Sequence, residues 1–307
     1  MSKTFTSNVF QSTYKDDFKD SDNYHRVLFN SGRAIQAREL TQLQTIIQEE
    51  IGRFGRNIFQ DGSAVNPGGP EVNDNYEFIK LDTSVRTLPD DTSSLLGLEF
   101  THSATSTAVR VLEVVPAVGS DPATLYVQYT NTSGGAVGTN PVRMNSGVDI
   151  TSGSFTFTVQ STNTIANPAV GRGAQIIAAE GDFFTRGHFV YSKLQSLIIS
   201  KYTRYPTVIV GFKVTEDIVT VADTNELYDN QGANPNLSSP GADRYRIKLT
   251  LTTKDAVAAD ESFVYYCDVV EGTIVDQVTG ADTYNAPNTL VAQRTFDESG
   301  DYIAKDF

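Results

Sequence analysis

Apolar residues recur every three or four positions at Leu40, Leu43, Ile47, Ile51, Phe54 and Ile58, with Ile46 and Phe59 beside them. That spacing places them on one face of an α-helix, with Gln42, Thr45, Glu49, Arg53 and Arg56 opposite. The periodic segment runs from Gln36 to Gly62. At roughly 1.5 Å per residue it predicts a helix about 40 Å long, with Gly62 as its natural stop. Glu49 precedes Arg53 by one turn, the favourable order for an ion pair. Gly52 and Gly55 each weaken such a helix by about 1 kcal/mol relative to Ala. They also admit another backbone at short range, which marks a crowded contact.

Elsewhere the period falls to two. "YEFIKL", "LEFTHSATSTAVRVLEVVP", "TLYVQYTN" and "SFTFTVQS" are Val/Thr/Tyr/Phe-rich runs separated by turn signatures. A second set follows in "HFVYSKLQSLII", "TVIVGFKVTEDIVT", "YRIKLTLTTK" and "SFVYYCDVVEGTIV". Val208, Val210, Phe212 and Val214 share one face, as do Tyr245, Ile247, Leu249 and Leu251. The predicted fold is mainly β with one long N-terminal amphipathic α-helix and two β-sandwich or barrel-like units. The expected divisions are an N-terminal arm at 1–33, the helix and a Gly/Pro loop at 34–74, a small inserted β domain at 75–165 and a second β domain at 166–307. Helices and strands do not alternate, which argues against nucleotide-binding α/β folds.

The apolar stripe leaves two partners open. It packs on the protein's own sheet, or it meets copies of itself about a symmetry axis. The arm poses the same choice: Tyr14, Phe18, Tyr24, Val27, Leu28 and Phe29 anchor it on a partner or lay it on its own fold.

Charge narrows the partner classes. The 24 Lys and Arg against 37 Asp and Glu give a formal net charge of −13, which repels phosphate backbones, so no nucleic-acid partner is expected. The single cysteine, Cys267, excludes an intrachain disulfide and fits synthesis in a reducing cytosol. No signal-peptide-like or membrane-spanning apolar run is present, so neither a signal-peptide route nor a membrane partner is expected.

Candidate chemistry is sparse. His25, His102 and His188 are dispersed, with no metal-ligand spacing among them. His102 lies beside Ser103 and Ser106 but without a nucleophile-elbow motif. "DTNELYDNQG" offers Asp223, Asn225 and Asp229 as oxygen donors, but Tyr228 occupies the position where an EF-hand needs glycine. "AVGRGAQ", with Gly171 and Gly173, reads as a turn, and "DESGD" as an acidic loop. No catalytic residue, cofactor or metal site is assigned, and the chain is expected not to be an enzyme.

"YHRVLFNSGRAIQARELTQLQTIIQEEIGRFGRNIFQDGSAVNPGG" carries Arg33, Gln36, Ala37, Arg38, Glu39, Leu40, Gln42, Leu43 and Gln44, then Phe59 and Gly62. It resembles the N-terminal region of a family of tailed-phage virion structural proteins found in T4-like, cyanophage-type myoviruses. "FFTRGHFVYSKLQSLIISKYTRYPTVIVGF", "LYDNQGANPNLSSPGADRYRIKLTLT" and "RTFDESGDYIAKDF" extend the resemblance over most of the chain, most weakly at 85–165. Related members continue past "DESGDY", which makes this chain a short member or one lacking distal parts.

The resemblance implies a virion protein of the phage tail, made in the host cytoplasm and placed in the baseplate or at the proximal attachment end of a tail fibre. It implies a homotrimer docked on other baseplate or tail-fibre proteins. It also shifts the stripe of Leu40, Leu43, Ile47, Ile51, Phe54 and Ile58 toward an oligomer or partner interface, anchored at Ile47, Ile51 and Phe54. Two rival readings remain. In one, a β unit binds a host surface glycan through "NTSGGAVGTN" and "DNQGANPNLSSPG". In the other, the chain is a polysaccharide depolymerase, for which the absence of a solenoid repeat is unfavourable.

Overall fold

The computed structural model describes residues 13–102, 105, 107–132, 143–228, 238–258, 261–278 and 294–295. The expected helix forms as α1, Ala37–Arg56. Its N-terminus is held where the Gln36 backbone N–H donates to the Glu39 carboxylate at 3.0 Å, so one otherwise unmatched donor is satisfied. Arg53 and Arg56 lie in the last turn, where cations complement the helix dipole.

The helix is shorter than its periodic pattern. It has 20 residues, about 30 Å, and stops before Ile58, Phe59 and Gly62. The reason is local. The backbone N–H groups of Ile58 and Phe59 both turn back to the Gly55 carbonyl, and the Asn57 side chain donates to the Arg53 carbonyl at 2.8 Å. Phe59 then leaves the helical path and sets its ring 5.8 Å from Phe184 and 5.7 Å from Phe189.

The strands along the chain are β1 (Ala64–Pro67), β2 (Pro70–Lys80), β3 (Glu99–His102), β4 (Thr107–Val115), β5 (Thr124–Asn131), β6 (Asp149–Ser152), β7 (Phe155–Thr158) and β8 (Val170–Ala178). They continue as β9 (Gly181–Thr185), β10 (His188–Ser192), β11 (Gln195–Ser200), β12 (Val208–Val219), β13 (Arg244–Thr253), β14 (Phe263–Val270) and β15 (Thr273–Gln277). Three antiparallel sheets result, in the orders β1-β9-β10, β11-β8-β2-β5-β4-β3-β6-β7 and β13-β12-β14-β15.

Among the described residues the chain is therefore mainly β, with α1 as its one long α-helix. The strands of the 75–165 region extend the sheet that β2, β8 and β11 begin. They also turn back on themselves, because an antiparallel Leu81–Val159 bridge joins the end of β7 to the end of β2. Two main cores serve the three sheets. Ile79, Leu81, Phe100, Val109, Leu125, Ile150 and Phe157 fill the first. The second holds Phe183, Val210, Phe212, Val214, Leu249, Leu251 and Tyr266, with Val208 and Ile247 packed against it, whereas Tyr245 of the β13 stripe lies edge-on to His188.

Gly171 and Gly173 lie within β8 and not in a turn. A side chain at Gly171 would strike the Phe78 ring, and one at Gly173 would strike the carbonyls of Ser200 and Lys201.

The contact expected at the helix glycines is present. A Cβ on Gly55 would sit 2.3 Å from the Phe184 ring, and one on Gly52 would sit 3.2 Å from the Gly187 carbonyl. Gly55→Ala should thus lower stability by about 1–3 kcal/mol, despite the helix-propensity gain of about 1 kcal/mol. Urea unfolding of the two chains checks this, and Gly52→Ala should cost less.

Candidate functional site

Three faces of α1 meet three different surroundings. The first packs on the β9–β10 hairpin. That hairpin turns through Arg186 and Gly187, both at positive φ, which matches the twist of a tight two-residue connection. Gln48 Nε2 donates to the Gly187 carbonyl at 3.1 Å. Phe59, Phe184 and Phe189 close the end of the contact. A ring is what fills the space left by Gly55.

The second face carries the arm. Thr45 Oγ1 donates to the buried Asp16 carboxylate, Arg38 lies 3.5 Å from Asp17, and Arg53 pairs with Asp20. His25 Nδ1 lies 3.4 Å from Glu50. Beneath these contacts Ile46 is buried to 3% exposure, beside Phe18 and Tyr24 around a small pocket. Tyr14 extends the attachment to the β domain by donating to Asp243 at 2.7 Å. The arm from residue 13 onward thus lies on its own fold. Leu28 and Phe29 remain exposed on its return path.

The third face is open. Leu40, Ile47, Ile51 and Phe54 are 48%, 52%, 42% and 66% exposed. Leu43 and Ile58 are partly buried, Ile58 beyond the helix end. The structure thus keeps the predicted stripe together on one side of α1, apart from Ile58. Covering such half-exposed Leu, Ile and Phe side chains yields roughly 1 kcal/mol or more each. Together they form an exposed apolar patch on one side of α1.

Sequence reasoning missed the two features that decide which face is open. One is the Arg186–Gly187 turn between "FFT" and "HFVY", a hairpin signal that could have placed Phe184 and Phe189 as the helix's seat. The other is the complementarity of Asp16, Asp17 and Asp20 with Thr45, Arg38 and Arg53. It joins residues far apart in the chain without a periodic signal.

The remaining candidates, where described, have local partners or are buried. His102 Nδ1 lies 2.9 Å from Thr105 Oγ1. Asp223 accepts from the Thr220 backbone and hydroxyl. Cys267 is buried, and burial together with Asp268 pushes its thiol up to about 12. No group of three or more His, Cys, Asp or Glu among the described residues is arranged to hold a metal. Among the same residues no helix is long and apolar enough to cross a membrane. Ser103, Ser106, Asp229, most of "NTSGGAVGTN" and "DNQGANPNLSSPG", and the "DESGD" loop lie outside the described residues.

The sequence matches the family described as Domain of unknown function (DUF4815) over residues 12–85 and 166–307. The chain belongs to this family. The DUF4815 match takes in the arm from residue 12, α1 and the β9–β10 hairpin, and it passes over β3–β7. No curated protein and no solved structure matches the chain.

Two results should follow from the three-faced helix. Ile46→Ala should cost about 2–5 kcal/mol, whereas Ile47→Ser should stay within about 0.5 kcal/mol in the isolated chain, as read by denaturant unfolding. His188 sits beside the same contact. Burial pushes its imidazole below the ordinary value, Glu216 and Glu49 pull upward, and Arg56 adds to the depression. The unfolded chain therefore takes up a proton first. The contribution of His188 is complete above about pH 6.5 and is lost as pH falls toward the depressed folded value. His188→Gln should remove that part of the stability loss between about pH 7 and pH 5, measured by urea unfolding at each pH.

Proposed function

We propose that this DUF4815 chain is a structural component of a phage tail, in the baseplate or at the proximal attachment end of a tail fibre. It acts by protein–protein assembly, with no turnover. The observation that carries the reading is the open stripe of α1, formed by Leu40, Ile47, Ile51 and Phe54. A helix already seated by its glycine face and strapped by an arm has no intramolecular need for an apolar third side.

The resemblance of "QARELTQLQ" and the later segments to tailed-phage virion proteins supplies the setting. The stripe supplies the means. Copies carrying −13 each repel one another, so self-association is favoured where both surfaces are uncharged. The stripe residues themselves are uncharged, with Glu50 exposed at their edge beside Leu43 and Phe54. In a homotrimer three copies of α1 would meet along it, with Ile47, Ile51 and Phe54 as central anchors.

Light scattering on the purified chain tests this. A trimer is expected that strengthens as salt screens the net charge, over a Debye length of about 10 Å at 0.1 M. Ile47→Asp should give a folded monomer. A wild-type chain that remains monomeric across concentration and salt contradicts self-assembly through the stripe.

A further inference from the structure

Lys80 is buried to 2% exposure at the end of β2, where the chain passes from the main body into the 86–165 region. Its neighbours on the return path are fixed by backbone bonds: Gln160 N–H donates to the Lys80 carbonyl, and Lys80 N–H donates to the Ala169 carbonyl. The lysine amine lies 3.8 Å from the centre of the Tyr202 ring and 5.7 Å from that of Phe78. Its hydrogen-bond acceptor is the side-chain oxygen of Asn167, at 2.6 Å. With ordinary carbonyl geometry that puts Nζ about 3–3.5 Å from the carboxamide carbon, the range in which bond formation begins.

We propose that Lys80 and Asn167 form an intramolecular isopeptide bond. The step balances without an oxidant or co-reactant. The Lys80 ammonium gives a proton to solvent at the exposed Asn167 turn, and the free amine adds to Asn167 Cγ. The second amine proton and one returned by solvent pass to the departing nitrogen, the C–N bond of the primary amide breaks, and ammonium leaves. A secondary amide remains.

Three features support the chemistry. Desolvation lowers the affinity of Lys80 for its proton, against the pull of Asp121, which favours the nucleophilic amine. Asn167 precedes Pro168, which has no backbone N–H, so the ordinary backbone attack on the carboxamide is blocked and Lys80 is left as the nucleophile at hand. Asn167 sits in an exposed turn closed by reciprocal backbone bonds with Thr164, so ammonium has a path to solvent.

The bond would join the outgoing and returning passages of the chain. Residues 81–166 would become a covalently closed loop, and tension along the chain would bypass that loop. The inference rests on the Lys80 geometry and not on the oligomeric state.

Intact-mass measurement of the freshly purified full chain tests it. The chain should be lighter than its sequence by one ammonia. Trypsin should fail to cut after Lys80 and should release a branched peptide joining Lys80 to the Asn167 segment. Asn167→Ala, at an exposed position, should show its full sequence mass. A wild-type chain at full mass with a linear Lys80 peptide overturns the proposal. Ammonia loss that persists in Asn167→Ala also overturns it, because another asparagine would then be the source.

Discussion

At Gly52 and Gly55 the backbone of α1 comes directly against the β9–β10 hairpin, and the Phe184 ring occupies the place where a helix side chain would stand. This contact orients everything else on the helix. With the glycine face turned inward, Ile46 points toward the arm and is buried. Leu40, Ile47, Ile51 and Phe54 are then rotated outward. A larger residue at position 55 has to displace the Phe184 ring. The helix is seated by close backbone approach, and Leu40, Ile47, Ile51 and Phe54 face away from that seat.

The arm completes the arrangement. Its acidic residues lie along the polar side of α1, where Thr45, Arg38 and Arg53 receive them. Exposed ion pairs of this kind contribute little individually, about 0–1 kcal/mol. Their effect here is to occupy the flank beside Ile46, next to the exposed apolar side formed by Leu40, Ile47, Ile51 and Phe54. The functional reading depends on this division of the helix surface more than on any single residue.

Much of this was legible in the chain. The helical period at Leu40, Leu43, Ile47, Ile51 and Phe54, and the alternation in β12 and β13, are local signals that buried faces impose on any sequence. Gly52 and Gly55 announced a close contact, but its partner could not be read, because the Phe184 side of the hairpin is over a hundred positions away. The helix end was misplaced because Ile58 fits the period, whereas Phe59 gains more from Phe184 and Phe189 than from another helical turn. Gly171 and Gly173 read as a turn for a similar reason. Their role is to let Phe78 and the carbonyls of Ser200 and Lys201 approach β8, a tertiary requirement with no local signature. The pairing of Lys80 with Asn167 is likewise invisible in sequence, since it depends on how the chain re-enters the sheet after β7.

The central claim is that the stripe of α1 faces away from its own chain and is covered by a second copy. Thiol labelling of Ile51→Cys as a function of protein concentration tests it most directly. The native Cys267 is buried with its thiol pushed up to about 12, so it stays silent. The account predicts fast labelling at high dilution and progressive protection as concentration rises. Protection that persists at the lowest concentration would mean that the chain covers its own stripe. Equal labelling at every concentration would mean that no second copy does.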